Sequence, residues 1–511
     1  MKKYVSAAFV AMVFSALAGV PEKIKAKWFE ADISPEVGAL IAGYGTNDVS
    51  VAQYDKLVAS GLCLDDGENR IMIVSLDLLG VDYESIVNIR RLLSGILSVP
   101  EKAVLVSCTH THQGPNARML YMSPADGDSS KKGNLIDEAY MKRLYRRLEE
   151  AARGMASQDW RECIIGFHSG VCKENRNRRY TTEENRASFN AHRPILHKLT
   201  TGIADHEVGT IALFDDDSRP VYVIGNWAAH PLTSHAPGLG GLRISSDFPG
   251  FYRRYIESET GAKAMFVQGA AGNLVTVDDE MGNAAARRVG EAVAMQSILG
   301  VLSIQRCYER FAIAKPRVGA EIRRFSSRLR KAWRERKGKD EDSFEVQAVA
   351  VGDVCFVGLP GEVVTEIGLE IKWNSPFART FPAYLATGYI GYVTPVNLMA
   401  AGGYESQSHC FASRDTLKMV SAAQDAMISL RQRLYPEDAE GDDPYPDNRI
   451  APVVNMPFSV MGGIKQHRFR ELLSSGAEVL AMVTEITTAP DVEARCRELL
   501  SEYRKYRNVG Q

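Results

Sequence analysis

Four short apolar runs in this chain each end in residue types that bind metals or carry protons, and this recurrence is what most constrains the fold. The first is Val104-Leu-Val-Ser-Cys-Thr-His-Thr-His-Gln-Gly-Pro115, in which Ala103 to Val106 reads as a buried strand running into His110-Thr-His112 before Gly114-Pro115 stops it. On an extended strand, residues two apart share a face, so both imidazoles would enter one pocket. Histidine is a zinc ligand and titrates near neutrality, so the pair points to metal binding or acid–base chemistry, with a simple hydrogen-bonded pair as the plainer alternative. The second run, Val221 to Trp227, leads through Ala228-Ala229 to His230-Pro231. The third, Val354 to Leu359, passes a Pro-Gly turn to Glu362. The fourth, Tyr389-Ile-Gly-Tyr-Val-Thr-Pro395, carries Tyr392 and is followed by Gly403-Tyr404-Glu405. In open α/β sheets, ligands bind outside strand ends, where loops converge. Two imidazoles, a carboxylate and phenols together suit a zinc ion that keeps a position for water.

The rest of the pattern fits that architecture. A strand is expected over Arg70 to Leu79, a helix over Glu84 to Leu97 and a second amphipathic helix over Ile136 to Met155. Strand-like runs recur at Gly209 to Phe214, Val221 to Trp227 and Ala264 to Gln268, and Gly352-Asp353 predicts a hairpin within Phe344 to Leu359. The expected class is α/β, with mixed sheets flanked by helices and a small C-terminal α/β appendage. Glu321 to Lys339 is basic, and Phe325, Leu329 and Trp333, spaced four apart, predict a surface helix with one packed stripe. A net charge of −2 gives no reason to expect a nucleic-acid partner.

At the N-terminus, Lys2-Lys3, an apolar stretch from Tyr4 to Leu17 and small residues at Ala16-Leu-Ala18-Gly19 predict a signal peptide over residues 1–18. The mature protein is therefore expected to be exported, periplasmic or secreted rather than cytoplasmic, and no other segment is long and apolar enough for an integral membrane span. The eight cysteines are scattered without a Cys-x-x-Cys, and read as buried small hydrophobes rather than a disulfide framework. Residues 435–450, acidic and punctuated by Pro436 and Pro444, read as a linker. Residues 451–511 form the appendage, with strand-like Val453 to Val460 and Val479 to Val483, a helix near His467 to Ser475 and a final helix. This tail resembles the last two β/α units of a phosphate-binding barrel such as thiamine-phosphate synthase; two units cannot close an eight-stranded barrel, and no catalytic role is expected of it.

Residues 27–434 resemble the catalytic domain of the neutral/alkaline, non-lysosomal ceramidases and their ceramidase-like bacterial relatives. Ala31-Asp-Ile-Ser-Pro35, Gly43-Tyr-Gly45, Ser75-Leu-Asp-Leu-Leu-Gly80, Thr109-His-Thr-His-Gln-Gly-Pro115 and Asn177-Arg-Arg179 carry the resemblance first. It continues through Glu207-Val-Gly209, Asn226-Trp-Ala-Ala-His-Pro231, Ser246-Asp-Phe-Pro-Gly250, Gln268-Gly-Ala-Ala-Gly-Asn273, Gly361-Glu362, Tyr392-Val-Thr394 and Tyr404-Glu405, all in the family's order. The resemblance implies a zinc-dependent amidase in which His110, His230, Glu362 and Tyr392 hold the ion. It places His112, Arg178 and Tyr404 around the activated water and the carbonyl of an acylated small-molecule, lipid or glycan substrate, with cleavage of an amide or an ester. Two departures stand out. The family's Gly-Asn-x-Ser-Pro serine is replaced here, because Gly272-Asn273-Leu274 is followed by Val275-Thr276. The tail also lacks the alternating short strands of the family's immunoglobulin-like domain. Val275 motivates the alternative expectation, a degenerate ceramidase-like protein that binds a ligand without turnover.

Overall fold

The apolar runs form the strands that their composition predicts. In a computed structural model that describes residues 21–43, 49–117, 137–181, 187–189, 202–235, 241–277, 281–439, 459–461 and 479–481, strands occupy Arg70–Leu76, Val104–Cys108, Glu207–Phe214, Pro220–Trp227 and Lys263–Gln268. These join Ile24–Asp32, Val58–Asp65 and Arg161–Val171 in an eight-stranded sheet with Lys263–Gln268 at one edge and Val104–Cys108 at the other. Both edge strands pair in parallel with their neighbours, whereas the six inner strands run antiparallel, so the sheet is mixed.

Successive side chains of one strand serve different cores, as the period of two requires. In Glu207–Phe214, Ile211 and Leu213 enter the core beneath helices Tyr83–Leu97 and Glu138–Ala156. Val208, Ala212 and Phe214 enter the core shared with helices Asp247–Thr260 and Asn283–Arg306. A sheet covered on both faces needs continuous apolar runs rather than alternation, which is why these strands were conspicuous in the sequence. The sheet also curls until its ends meet, and Ser75 Oγ donates to the carbonyl of Phe266 at 2.6 Å.

A four-stranded sheet is ordered Val318–Arg328, Glu341–Val351, Val354–Gly358, Arg379–Ala383. Its middle strands form the hairpin expected around Gly352-Asp353, and helices Thr365–Trp373 and Thr416–Leu434 cover one face. The chain just past its last strand docks where the ends of the large sheet converge. Tyr384 N donates to Gln268 O at 2.9 Å, and Ser107 Oγ donates to Tyr384 O at 3.1 Å. These mixed sheets flanked by helices are the expected α/β class.

One expectation fails. Glu321 to Lys339 is not a single helix, because Val318–Arg328 is a strand paired antiparallel with Glu341–Val351, and only Lys331–Lys337 is helical. A spacing of four is even, so it repeats on one face of a strand as well as along one side of a helix. Phe325 packs beside its cross-strand partner Phe344, with ring centroids 5.4 Å apart, and the buried Leu329 and Trp333 extend the same core.

Two units divide the chain at Pro436/Glu437. In the second, Ser459–Met461 pairs in parallel with Val479–Ala481. The expected signal peptide, most of the linker, the two tail helices and Cys496 lie outside the described residues. The other seven cysteines are unbridged, and all but Cys307 are buried. Among the described residues, no helix is long and apolar enough to cross a membrane.

The loop that carries the histidines is anchored by Asp77, which is fully buried. Its carboxylate accepts from Arg253 Nη1 at 2.9 Å, Thr109 Oγ1 at 3.1 Å and Val58 N at 2.8 Å. Removing one partner of a buried ion pair strands the other charge, so Asp77→Ala should cost about 3–5 kcal/mol. That loss should be read as a lower urea midpoint; an unchanged midpoint would contradict the anchoring role.

Candidate metal centre

Each donor expected at a strand end arrives from a different connection. His110 follows Val104–Cys108, His230 follows Pro220–Trp227, and Glu362 lies beyond Val354–Gly358. Glu362 and Tyr392 are directly paired residues of two short parallel strands, Glu362–Val363 and Tyr392–Val393, so backbone register sets the carboxylate beside the phenol. Gly361 makes this turn possible. It has φ +71°, and a Cβ there would meet Gly391 O at 2.4 Å.

The histidine pair departs from the extended geometry expected of it. The strand ends at Cys108, and His110 takes φ +69°, in the left-handed region that costs a side-chain-bearing residue energy. Its amide is held by Leu78 O at 2.9 Å. The imidazoles meet nonetheless, through a turn, with His112 Nε2 3.3 Å from His110 Nε2. His112 packs against the backbone of Gly43, where a Cβ would fall 2.4 Å from Nδ1. Gly43, with φ +99°, thereby fixes the position of the ring.

Four donor atoms converge. Glu362 Oε2 lies 3.4 Å from His110 Nε2 and 3.2 Å from His230 Nε2, and Tyr392 Oη lies 3.4 Å from His230 Nε2. All four residues are buried. His110 Nδ1 is 2.7 Å from Leu79 O, and His230 Nδ1 is 2.8 Å from Ala271 O. A carbonyl can only accept, so each Nδ1 donates and, in the neutral ring, each Nε2 presents a lone pair. Burial first, and then the Arg178 charge, lower the His230 pKa to about 4, which leaves this imidazole neutral at neutral pH. The lone pair of His230 Nε2 therefore faces the carboxylate, with His110 Nε2 beside them. Backbone carbonyls bonded to the far ring nitrogens are the usual outer support of metal-binding histidines.

The distances fit a zinc ion. With Zn–N and Zn–O bonds of 2.0–2.2 Å, the edge of a tetrahedron of donors is about 3.3–3.6 Å. Three of the six donor–donor separations, at 3.2–3.4 Å, lie at or just below the lower end of that range. His110, His112 and His230 also form a buried cluster whose nitrogens lie within 4.8 Å of one another, and this cluster too can hold a metal ion.

Arg178 is brought to the same place. Its Nη2 donates to Tyr392 Oη at 3.1 Å and to Gly272 O at 2.7 Å, while Nε donates to Glu405 Oε1 at 2.9 Å. Arg179 Nη1 reaches the other Glu405 oxygen at 2.5 Å. Burial opposes the charge on Arg178, but Tyr392 and Glu405 outweigh it and raise its pKa. Tyr404 stands over Tyr392 at 5.3 Å between centroids and, at 44 % exposed, is the most open of the expected site residues. The position of the family's serine is filled by Val275, buried on Leu274–Thr276 and bridged to His230. Thr276, the next residue and therefore on the opposite face, shares a hydrogen bond with Thr233 Oγ1 at 3.0 Å.

Sequence reasoning assigned no role to Tyr384, Tyr389 or Glu405. Tyr384 ends the run Arg379–Ala383, so the rule that found the other strand-end donors would have found it. Glu405 was visible only as a motif letter, since nothing in the sequence shows two arginines converging on one carboxylate.

No family model matches the chain. Short stretches resemble thiamine-phosphate synthases. That of Shouchella clausii is 38% identical over 73 residues, 13% of this chain and 35% of the relative. That of Pelotomaculum thermopropionicum is 46% identical over 46 residues, 9% and 21% of the two chains. This chain thus spans about a third or less of the relatives' length. Among solved structures, neutral ceramidase from Pseudomonas aeruginosa matches with a TM-score of 0.65 at 15% identity, covering 81% of this chain and 75% of that one. A ceramidase complexed with C2 matches with a TM-score of 0.64 at 15% identity, covering 81% and 76%.

The four-donor set and the three-histidine cluster make different predictions. With His112 outside the ligand set, His112→Ala should keep zinc affinity close to that of wild type, as read by competition with a chelator. Loss of the metal in that variant would favour the three-histidine cluster. By its architecture, the chain has a ceramidase-like fold.

Proposed function

We propose that this protein is a zinc-dependent hydrolase that cleaves an amide, or an ester, in an acylated substrate. The convergence of His110 Nε2, His230 Nε2, Glu362 Oε2 and Tyr392 Oη at 3.2–3.4 Å spacings carries the reading. A bound zinc ion would lower the pKa of a water towards neutrality and polarise the scissile carbonyl.

The chain's own residues would do the rest. His110 and His230 are locked by their carbonyl partners with Nε2 facing the donor cluster. Arg178, committed to Glu405 on one side, keeps an N–H on Tyr392 Oη and a positive charge beside it, where negative charge develops during attack on a carbonyl. His112 is next to the donors without belonging to the four. Burial first, then the neighbouring imidazoles, hold its pKa well below the usual value, so the ring is neutral beside the donors. Tyr404, at the exposed edge, is suited to meet the substrate carbonyl or leaving group.

Val275 bears on the route. Valine has no hydroxyl to attack or to hydrogen-bond, and Thr276 is engaged with Thr233 on the other face. Attack by activated water needs neither. The fold supports an acyl substrate by likeness to ceramidases, but the missing serine separates this chain from those enzymes, so the substrate class extends to acylated small molecules and glycans. We also propose export through the N-terminal signal sequence.

The purified protein should contain about one zinc per chain, lost on His110→Ala or His230→Ala. A screen of N-acyl and O-acyl substrates should find turnover that Glu362→Ala abolishes. A zinc-free wild type that binds no added zinc would sink the proposal. Zinc without turnover on any acyl substrate would favour the ligand-binding alternative. If the serine alone limits ceramide cleavage, Val275→Ser should raise hydrolysis of short-chain ceramides; no increase would show that the limit lies elsewhere.

A further inference from the structure

The carboxylate of Glu362 is held on both oxygens by phenols that belong to neither the expected ligands nor the expected proton carriers. Tyr389 Oη donates to Oε1 at 2.7 Å, and Tyr384 Oη donates to Oε2 at 3.1 Å. A carboxylate only accepts, so the direction of both bonds is fixed. Oε2 is the oxygen that faces the His110 and His230 nitrogens, and Oε1 is the one capped by Tyr389.

Both phenols sit on rigid supports. Tyr384 is fully buried, and its backbone is pinned between Gln268 and Ser107, at the two converging ends of the large sheet. Its ring stands edge-on to His110, with centroids 5.2 Å apart at 81°. Tyr389 lies in the loop that also fixes the backbone leading to the carboxylate. Gly388 O accepts from Gly361 N and Gly391 O accepts from Glu362 N, both at 2.8 Å.

We infer that Tyr384 and Tyr389 are positioning residues that confine Glu362 to one-oxygen coordination, through Oε2, of the ion held by His110 and His230. The inference rests on the zinc reading above. Swinging the carboxylate to chelate with both oxygens would give up the Tyr389 bond to Oε1, so the bond favours one-oxygen coordination and leaves a position for water and substrate. Tyr384 occupies a second lone-pair direction of Oε2 and sets the tilt of the carboxylate against the His110 ring. Such outer hydrogen bonds typically tune metal affinity by about 10–100-fold.

The test compares wild type, Tyr384→Phe and Tyr389→Phe, with Tyr83→Phe as a control. The Tyr83 hydroxyl bonds another buried carboxylate, Glu345, at 3.1 Å. Zinc affinity is measured by competition with a chromophoric chelator, and the visible spectrum is recorded after loading with cobalt(II). Each site variant should bind zinc about 10–100-fold more weakly than wild type. In Tyr389→Phe the cobalt bands should also lose intensity, as the freed Oε1 joins the coordination shell. Tyr83→Phe should match wild type in both readouts, although it also loses a phenol–carboxylate bond. Either site variant suffices if the other does not fold. Wild-type affinity and an unchanged cobalt spectrum in the folded site variants would overturn this inference alone. A wild-type protein that binds no zinc would overturn the zinc reading and this inference with it.

Discussion

A carboxylate 4 % exposed must be compensated, and the centre is organised around how Glu362 meets that requirement. An isolated buried charge is costly enough that proteins surround it with donors or counter-ions. Here two phenols donate to it, while two imidazoles, each with Nδ1 on a backbone carbonyl, turn Nε2 towards it. Lone pairs on nitrogen and oxygen at hydrogen-bond range repel unless a proton or a cation lies between them, so the arrangement makes chemical sense as a cation site. Every element that reaches it depends on two sheets converging: the large sheet curls end to end, and the chain following the small sheet's last strand joins those ends through Tyr384.

That convergence explains what could be read from the sequence. Strands buried on both faces are continuous apolar runs, and loops leaving them at one end can share a pocket, so His110, His230 and Glu362 stand out as candidates by one rule, whereas the choice of Tyr392 as the fourth ligand follows from the resemblance to ceramidases. What escaped it was anything set by pairing or by backbone conformation. The spacing of Phe325, Leu329 and Trp333 fitted a helix and a strand equally, and only the partner Phe344 decides between them. His110 and His112 were expected to meet along an extended strand, yet they meet through a residue in the left-handed region, a state no composition rule assigns to histidine. Tyr384 lies at a strand end within reach of that rule, but the Tyr389 bond to Glu362 and the Glu405 carboxylate between two arginines are long-range contacts with no local signature.

The same geometry bears on the missing serine. Val275 fills its position with a buried hydrocarbon side chain beside His230, while the donor set, Arg178 and its carboxylate partner are all assembled. Buried polar groups are expensive to maintain without a use, since a half-satisfied network costs more than an apolar core. Their joint presence is what the proposed metal site requires, and it does not depend on a side-chain hydroxyl at position 275. Fold and substrate are separate matters: the ceramidase-like architecture supplies a frame and does not by itself name what enters it.

The central claim is that two imidazoles and two oxygen donors hold a zinc ion. X-ray absorption at the zinc edge of the purified protein tests it most directly, because the shells report the number and kind of ligands without any substrate. Two imidazoles are expected, with the remaining shell made of oxygen and no sulfur, at bond lengths of about 2.0–2.2 Å. A shell of three imidazoles, a sulfur ligand, or a protein that takes up no zinc would contradict it.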